Sequence, residues 1–285
     1  MDVNTLALNQ PGYPPILTNI YSPPKQLYWA GIDPASWLDK PKVAIVGSRK
    51  ATPYGRNITT KLARELSEAG VVIISGLAYG IDITAHQAAL AANGVTVAVL
   101  PTGLDQIYPA AHQHIARQIA LNGSLITEYG PSTAGFRSNF IARNRIVSGL
   151  ADVLLITEAA VNSGSLHTAG FALQQGKTVM AVPGNINSPI SEGCNNLIKS
   201  GALPVTSVDD IFFALKLNPK AKQLRPVLGS QPEQLVFDFI KDGLNSQEDI
   251  AQAAKLAGPE LANALTMLEI SGHIRPVGGG NWVIS

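Results

Sequence analysis

Three kinds of chemistry sit close together between Phe136 and Gly170, where the chain reads FRSNFIARNRIVSGLADVLLITEAAVNSGSLHTAG. Arg137, Arg143 and Arg145 supply cations, and Phe140 and Asn144 place an aromatic plane and an amide among them. An apolar run over Asp152–Thr157 suits a buried parallel strand. Ser163-Gly164-Ser165 then opens a helix. A strand, a turn of small residues and a helix start together aim backbone N–H groups and the positive end of a helix dipole at an anion. Cations and an aromatic ring beside that turn suit a polyanion with stackable bases. Proteins hold single-stranded nucleic acid in this way, each stacked base contributing about 1–3 kcal/mol.

A second anion site is expected after the apolar run Val43–Val46, at Gly47-Ser48-Arg49. There backbone N–H groups and the Ser48 hydroxyl would bond phosphate oxygens while Arg49 forks onto them. Each assignment has a plainer alternative. Arg49 could be a surface side chain after a glycine turn, Phe140 a core residue on a helix face, and Ser163–Ser165 an N-cap with no ligand. Arg145 could make a buried pair with Asp152 or Glu158. Glu128 and Glu158 end two strands near the site and suit either ion pairs with Arg143 or Arg145, or acid/base work.

Several function classes are disfavoured. GxxxxGK[ST] is missing, so there is no Walker A loop. GxGxxG is also missing, and Ser75-Gly76 stand where a ribose-binding acid would end the second strand of a dinucleotide fold. No cofactor is expected. His112 and His114 lie two apart on a predicted helix and do not share a face. Cys194 is the only cysteine, which leaves no cysteine cluster for zinc and no intrachain disulfide. No metal is expected, and a reducing, cytoplasmic location fits. No apolar run reaches transmembrane length, and the N-terminal residues lack the pattern of a signal peptide.

Net charge is +1, but it is unevenly spread. Residues 1–225 carry 18 Lys/Arg and 13 Asp/Glu, whereas residues 226–285 carry 3 and 7. The larger part suits a polyanion and the smaller does not.

The elements that must position these residues alternate. Apolar strands are predicted at Val43–Val46, Val71–Ser75, Val95–Leu100, Ser124–Glu128, Val153–Thr157, Lys177–Val182 and Leu203–Thr206, with helices between them. That is the pattern of an α/β fold, an extended Rossmann-like parallel sheet with helices on both faces. Small residues or Pro follow most strands, and ligands of open α/β sheets bind at the carboxyl ends of the strands. Residues 1–40, rich in Pro, Tyr and Trp, read as an extended segment packed on this domain of residues 41–215. Residues 216–232 read as a linker. Residues 233–285 read as three helices and a hairpin, a small winged-helix-like domain. Its helices are expected to bury Ile250, Ala253, Ala254 and Leu256, then Leu261, Leu265, Leu268 and Ile270.

The strings GSRKATPYG, ISGLAYGID, LPTGLDQIYP, RSNFIARNRIVSGL, SGSLHTA, GKTVMAVPGNI and EGCNNLIKSGA resemble, in order, the motifs of the DprA/Smf family of bacterial DNA-processing proteins. The resemblance implies a non-catalytic single-stranded DNA-binding homodimer that loads a RecA-type recombinase during natural transformation. It carries DNA contact to Phe140, Arg143 and Asn144 and adds a contacting cation near Lys177, which otherwise reads as a solvated strand start. The chain departs from the family pattern in three places. A small N-terminal helical domain is not expected before the fold. Tyr79 stands where Arg is common, and His167 replaces an apolar residue.

A rival reading comes from LOG-type phosphoribohydrolases, Rossmann enzymes that open a helix at a nucleotide phosphate in the same way. Their PGGxGTxxE signature is not present. For the C-terminal part the charges oppose duplex binding. Pro259–Ser271, in the place of a recognition helix, has no Lys or Arg and carries Glu260 and Glu269. A protein partner is expected instead.

Overall fold

Nine strands of the computed structural model, which describes residues 3–217 and 230–284, form one sheet. They are β1 (Asn4–Ala7), β2 (Gln26–Gly31), β3 (Lys42–Val46), β4 (Val72–Ser75), β5 (Thr96–Val99), β6 (Ser124–Thr127), β7 (Val153–Ile156), β8 (Thr178–Ala181) and β9 (Leu203–Pro204). Their order is β1-β2-β6-β5-β4-β3-β7-β8-β9. From β6 to β9 every neighbouring pair is parallel. The alternation of short apolar runs with amphipathic segments thus yields the expected parallel core.

The N-terminal segment differs from expectation. It contributes β1 and β2, antiparallel to each other and to β6, with Tyr28 opposite Thr127 and Trp29 opposite Ile126. The aromatic-rich run QLYWAG is a good strand former, and its ladder satisfies an edge of the sheet that a merely packed segment would leave open.

Helices α1 (Pro53–Glu68), α2 (Ile81–Ala91), α3 (Gln113–Asn122), α4 (Arg137–Leu150), α5 (Ser165–Gln174), α6 (Glu192–Lys199) and α7 (Val208–Ala214) cover the sheet. Strand side chains alternate between its two faces. Val43, Ile45, Ile73, Val153 and Leu155 pack with α1, α2 and α7. Ala44, Val46, Ile74, Leu154 and Ile156 pack on the other side, with α4, α5 and Trp37. α1 starts where its pattern predicts: Thr52 accepts the Gly55 N–H at 3.1 Å, and Pro53 needs no donor at the first helical position.

The connectivity has one reversal. From β3 the chain moves outward through β4, β5 and β6, then returns to the opposite side of β3 as β7. A crevice opens at the carboxyl ends of strands where the order reverses in this way. Here it lies between the loops that follow β3 and β7.

The chain divides into two compact units, Met1–Ala221 and Lys222–Ser285. The expected linker falls mostly at 218–229, outside the described residues. The second unit holds α8 (Gln231–Lys241), α9 (Gln247–Ala254), α10 (Gly258–Ile270) and an antiparallel hairpin of β10 (Ile274–Gly278) and β11 (Asn281–Ile284). Its core is Val236, Phe237, Ile240, Ile250, Leu261, Ala264, Leu265, Leu268 and Ile274. Four expected core residues are not in it. Ala253 is exposed, Ala254 is half-buried, Leu256 packs half-buried against the core, and Ile270 is 75% exposed. On α10 the buried positions 261, 264, 265 and 268 follow the helical stripe i, i+3, i+4, i+7, and Ile270 falls off that stripe.

Candidate functional site

A cleft of about 800 Å³ opens at the reversal point. The loop after β3 contributes Gly47, Ser48, Arg49 and Lys50. The loop after β7 and the start of α5 contribute Asn162, Ser163, Gly164, Ser165 and His167. α4 contributes Arg137, Phe140, Ile141, Arg143 and Asn144, and Tyr108 reaches in from the loop after β5. Ten residues picked from the sequence therefore line one cavity, although they come from three separate stretches.

The floor is built by close backbone approach. A Cβ on Gly47 would lie 2.6 Å from Ile81 Cγ1 and 2.7 Å from the Glu158 carbonyl oxygen, so no larger residue fits. Gly80 has φ +77° and packs against the Ser48 carbonyl, whose oxygen accepts the Ile81 N–H at 3.1 Å. These contacts hold the β3 loop still. They also change the expected clamp. The Ser48 N–H already donates to the Glu158 carbonyl (2.7 Å), and the Ser48 hydroxyl accepts the Lys50 N–H (3.1 Å). The turn is fixed by the protein itself, and the cations Arg49 and Lys50 stand exposed above it.

Arg49 lies over the Phe140 ring, its guanidinium carbon 5.5 Å from the centroid. Tyr108 meets the same ring edge-on at 5.1 Å and is itself 49% exposed. Phe140 is half-buried and Phe136, at the helix start, is exposed. Arg137 occupies the first turn of α4, where no side chain caps the helix. A cation at an uncapped helix N-terminus is unfavourable by itself and favourable toward an anion. At the start of α5 the Ser163 and Ser165 hydroxyls share a hydrogen bond (2.7 Å), and a Cβ on Gly164 would meet nothing within 4 Å. That turn is open to an approaching ligand.

Arg143 differs from the others. It is buried, and its Nη1 donates to the carbonyls of Gly76 (2.7 Å) and Val99 at the ends of β4 and β5. Burial pulls its pKa down to about 10, while the nearby Asp82 carboxylate opposes that shift. Asp82, also buried, accepts the Gly76 N–H at 3.1 Å; burial raises its pKa and Arg143 lowers it. Arg143 thus braces the cleft from beneath, whereas Arg49, Lys50 and Arg137 are its exposed cations. Their positive charge outweighs the single buried carboxylate beneath them.

Lys177 is not brought to this cleft. It precedes β8 and so stands at the amino end of a parallel strand, on the opposite edge of the sheet from Arg49. Burial lowers its pKa, and its charged neighbours are Asp152 and Lys42, which lie at the same amino edge. Arg145 pairs with Glu128 (2.6 Å) rather than with Asp152 or Glu158. Glu158 instead accepts the Thr52 N–H (2.8 Å) and hydroxyl (2.5 Å), and Asp152 pairs with Lys42 (3.3 Å). Both strand-end carboxylates thus have structural partners. Tyr79 packs edge-on against His112, 4.7 Å between ring centroids. Cys194 is buried, and burial pushes its thiol up to about 12, out of reactive range.

Lys50, Tyr108, Asn162 and His167 line the cleft without having been singled out as ligand contacts. Lys50 was legible as a second cation beside Arg49, and Tyr108 as an aromatic in a loop that follows a strand. No group of His, Cys, Asp and Glu among the described residues forms a metal site. No helix among them is long and apolar enough to cross a membrane.

Residues 4–216, the span that builds this cleft, match the family described as DNA recombination-mediator protein A. The chain belongs to that family. The putative DNA processing protein DprA of Mycobacterium tuberculosis is 38% identical over 249 residues, which are 85% of this chain and 64% of that protein. The chain thus spans just under two thirds of that relative's length. Among solved structures, DNA processing protein A of Streptococcus pneumoniae superposes with a TM-score of 0.70 at 40% identity, covering 74% of this chain and 73% of that one. A structure concerning the single-stranded DNA binding mode of the Helicobacter pylori DNA processing protein A gives 0.68 at 36% identity, covering 75% of this chain and 95% of that one. DprA-type folds therefore account for the large unit.

Proposed function

We propose that this protein binds single-stranded DNA along the carboxyl edge of its sheet, without turnover, and delivers the strand to a RecA-type recombinase in the cytoplasm. The observation that carries the reading is the pairing of exposed Arg49 with the Phe140 ring at the reversal point, ringed by Lys50, Arg137 and the open α5 turn. Cations placed beside aromatic faces hold a charged backbone and its bases together, with little regard to sequence. Arg49, Lys50, Arg137, Asn144 and Ser163–Ser165 are assigned to phosphate and sugar, and Phe140 with Tyr108 to bases, while Gly47 and Ser48 shape the turn that carries Arg49. Arg143 acts from beneath as the brace.

The enzymatic alternative loses support from geometry. Hydrolysis of a glycosidic bond calls for two carboxyl groups facing the substrate, and Glu128 and Glu158 are bound to Arg145 and Thr52. Homodimer formation and recombinase loading are drawn from family membership. Two DNA sites on one dimer would raise avidity. The acidic C-terminal unit is assigned to a protein partner, because its net charge of −4 over residues 226–285 repels a phosphate backbone.

Anisotropy titration of labelled oligo-dT and of its duplex tests the binding reading, with sedimentation for the dimer and a strand-exchange assay for the recombinase. Tight, salt-sensitive single-strand binding with weak duplex binding supports it. Release of free base from a nucleoside monophosphate would support the enzyme instead.

A further inference from the structure

The β3 loop has a hollow on each side. One is the cleft just described. The other, of about 540 Å³, lies across Ser48–Thr52, where the start of α1 faces the loop between β8 and α6. The two are neighbours in the chain at both borders. Lys50 lines the first and Thr52 the second, and Ile190 lines the first and Ser191 the second. Arg49 and Lys50 therefore form a basic ridge between two hollows.

The second hollow has a different chemistry. Its lining includes Thr52, Tyr54, Glu158, Asn185, Ser188 and Ser191, and none of the described residues that line it is Lys or Arg. The buried Glu158 carboxylate would repel a phosphate. Tyr54 is 49% exposed, and its hydroxyl donates to the Pro183 carbonyl at 3.1 Å. That bond fixes the ring between α1 and the β8 loop, so an aromatic plane is held ready at the wall. The Asn185 amide is exposed beside it, and the Ser188 hydroxyl is half-buried in the same wall.

We propose that the second hollow is a base subsite of the bound strand. A phosphate sits on the Arg49–Lys50 ridge, one base lies in the first cleft, and the base across that phosphate enters the second hollow against Tyr54. A neutral, flat ring with hydrogen-bonding edges suits a wall of phenol, amide and hydroxyls; a charged phosphate does not. This rests on the single-stranded DNA reading of the first cleft and adds a second contact to it.

The test is a coupling measurement on the full chain. A labelled oligo-dT is compared with versions in which one nucleoside at a time is replaced by an abasic spacer, which leaves every phosphate in place. With the unaltered protein, two abasic positions, one for each hollow, are each expected to weaken binding about tenfold through loss of stacking. With Tyr54→Ala the loss should vanish at the position of the second hollow and persist at the position stacked in the first cleft. Tyr54→Phe should restore it, since the ring does the stacking. If abasic losses at every position are the same in the unaltered and Tyr54→Ala proteins, the second subsite does not exist. If the unaltered protein binds no intact strand at low salt, it is the reading of the first cleft that fails.

Discussion

The Arg49 guanidinium carbon lies over the Phe140 ring, 5.5 Å from its centroid, so each side chain restricts the other. A guanidinium held near a ring face keeps its N–H fork for a phosphate while losing little freedom on binding. Ring and cation therefore make separable contributions. Arg49→Ala is expected to lower the salt slope of single-strand binding by about 0.7, the value for one phosphate contact. Phe140→Ala is expected to weaken binding about tenfold through lost stacking, with a smaller change in slope. Arg49→Lys should keep the salt slope, because it keeps the charge, and fall between the unaltered and alanine proteins in affinity, because an ammonium does not fork onto two phosphate oxygens. Salt titrations of the three variants check this.

Arg143 is predicted to act on stability before binding. Removing it strands the carbonyls of Gly76 and Val99 and leaves Asp82 without its nearby cation. Each buried unsatisfied group costs about 1–3 kcal/mol. Arg143→Ala should therefore lower unfolding free energy by about 2–5 kcal/mol in urea titration. Arg49→Ala, exposed, should leave it within about 0.5 kcal/mol.

Lys177→Ala should leave single-strand affinity within about twofold, and its salt slope unchanged, because the residue stands on the far edge of the sheet. An anisotropy titration beside Arg49→Ala makes the comparison. A loss as large as that of Arg49→Ala would mean that the strand wraps to the amino edge.

His86 gives the fold an acid sensitivity. It is fully buried, its Nδ1 lies 2.7 Å from the Thr96 hydroxyl, and burial lowers its pKa to about 3. In the unfolded chain it takes up a proton near pH 6.5. Above that pH neither state is charged there, and the group has no effect. As pH falls from 6.5 toward 3 only the unfolded chain is protonated, so stability falls by up to about 1.4 kcal/mol per pH unit. Urea unfolding at pH 7 and pH 5 should show this loss, and His86→Asn should reduce it.

Much of this was legible in the sequence, for physical reasons. Strands buried on both faces read as apolar runs, so β3, β4, β5, β6, β7 and β8 stood out. β1 and β2 did not, because β1 is specified by its antiparallel partner β2, and β2 by β6, and not by alternation of their own. The clustering of Gly47, Arg49, Phe140 and Ser163 followed from the rule that ligands gather where strands end. The same rule places Lys177 away from them, since it begins a strand. The family resemblance and the neighbouring Phe140 and Asn144 assign Arg143 to DNA contact. Only the fold reveals that its guanidinium reaches between the ends of β4 and β5. The partner of Arg145 was equally hidden: three carboxylates were near in the chain pattern, and the sheet order decided for Glu128.

If the reversal-point cleft holds single-stranded DNA through Arg49 and Phe140, removing both side chains must abolish most of the binding. The most direct measurement is the affinity of labelled oligo-dT for the unaltered protein and for the Arg49→Ala/Phe140→Ala double variant over a range of salt. Tight binding with a negative log–log salt slope is expected for the former and a loss of at least about a hundredfold for the latter, with the fold intact by circular dichroism. Equal affinity of the two proteins would contradict that role of the cleft.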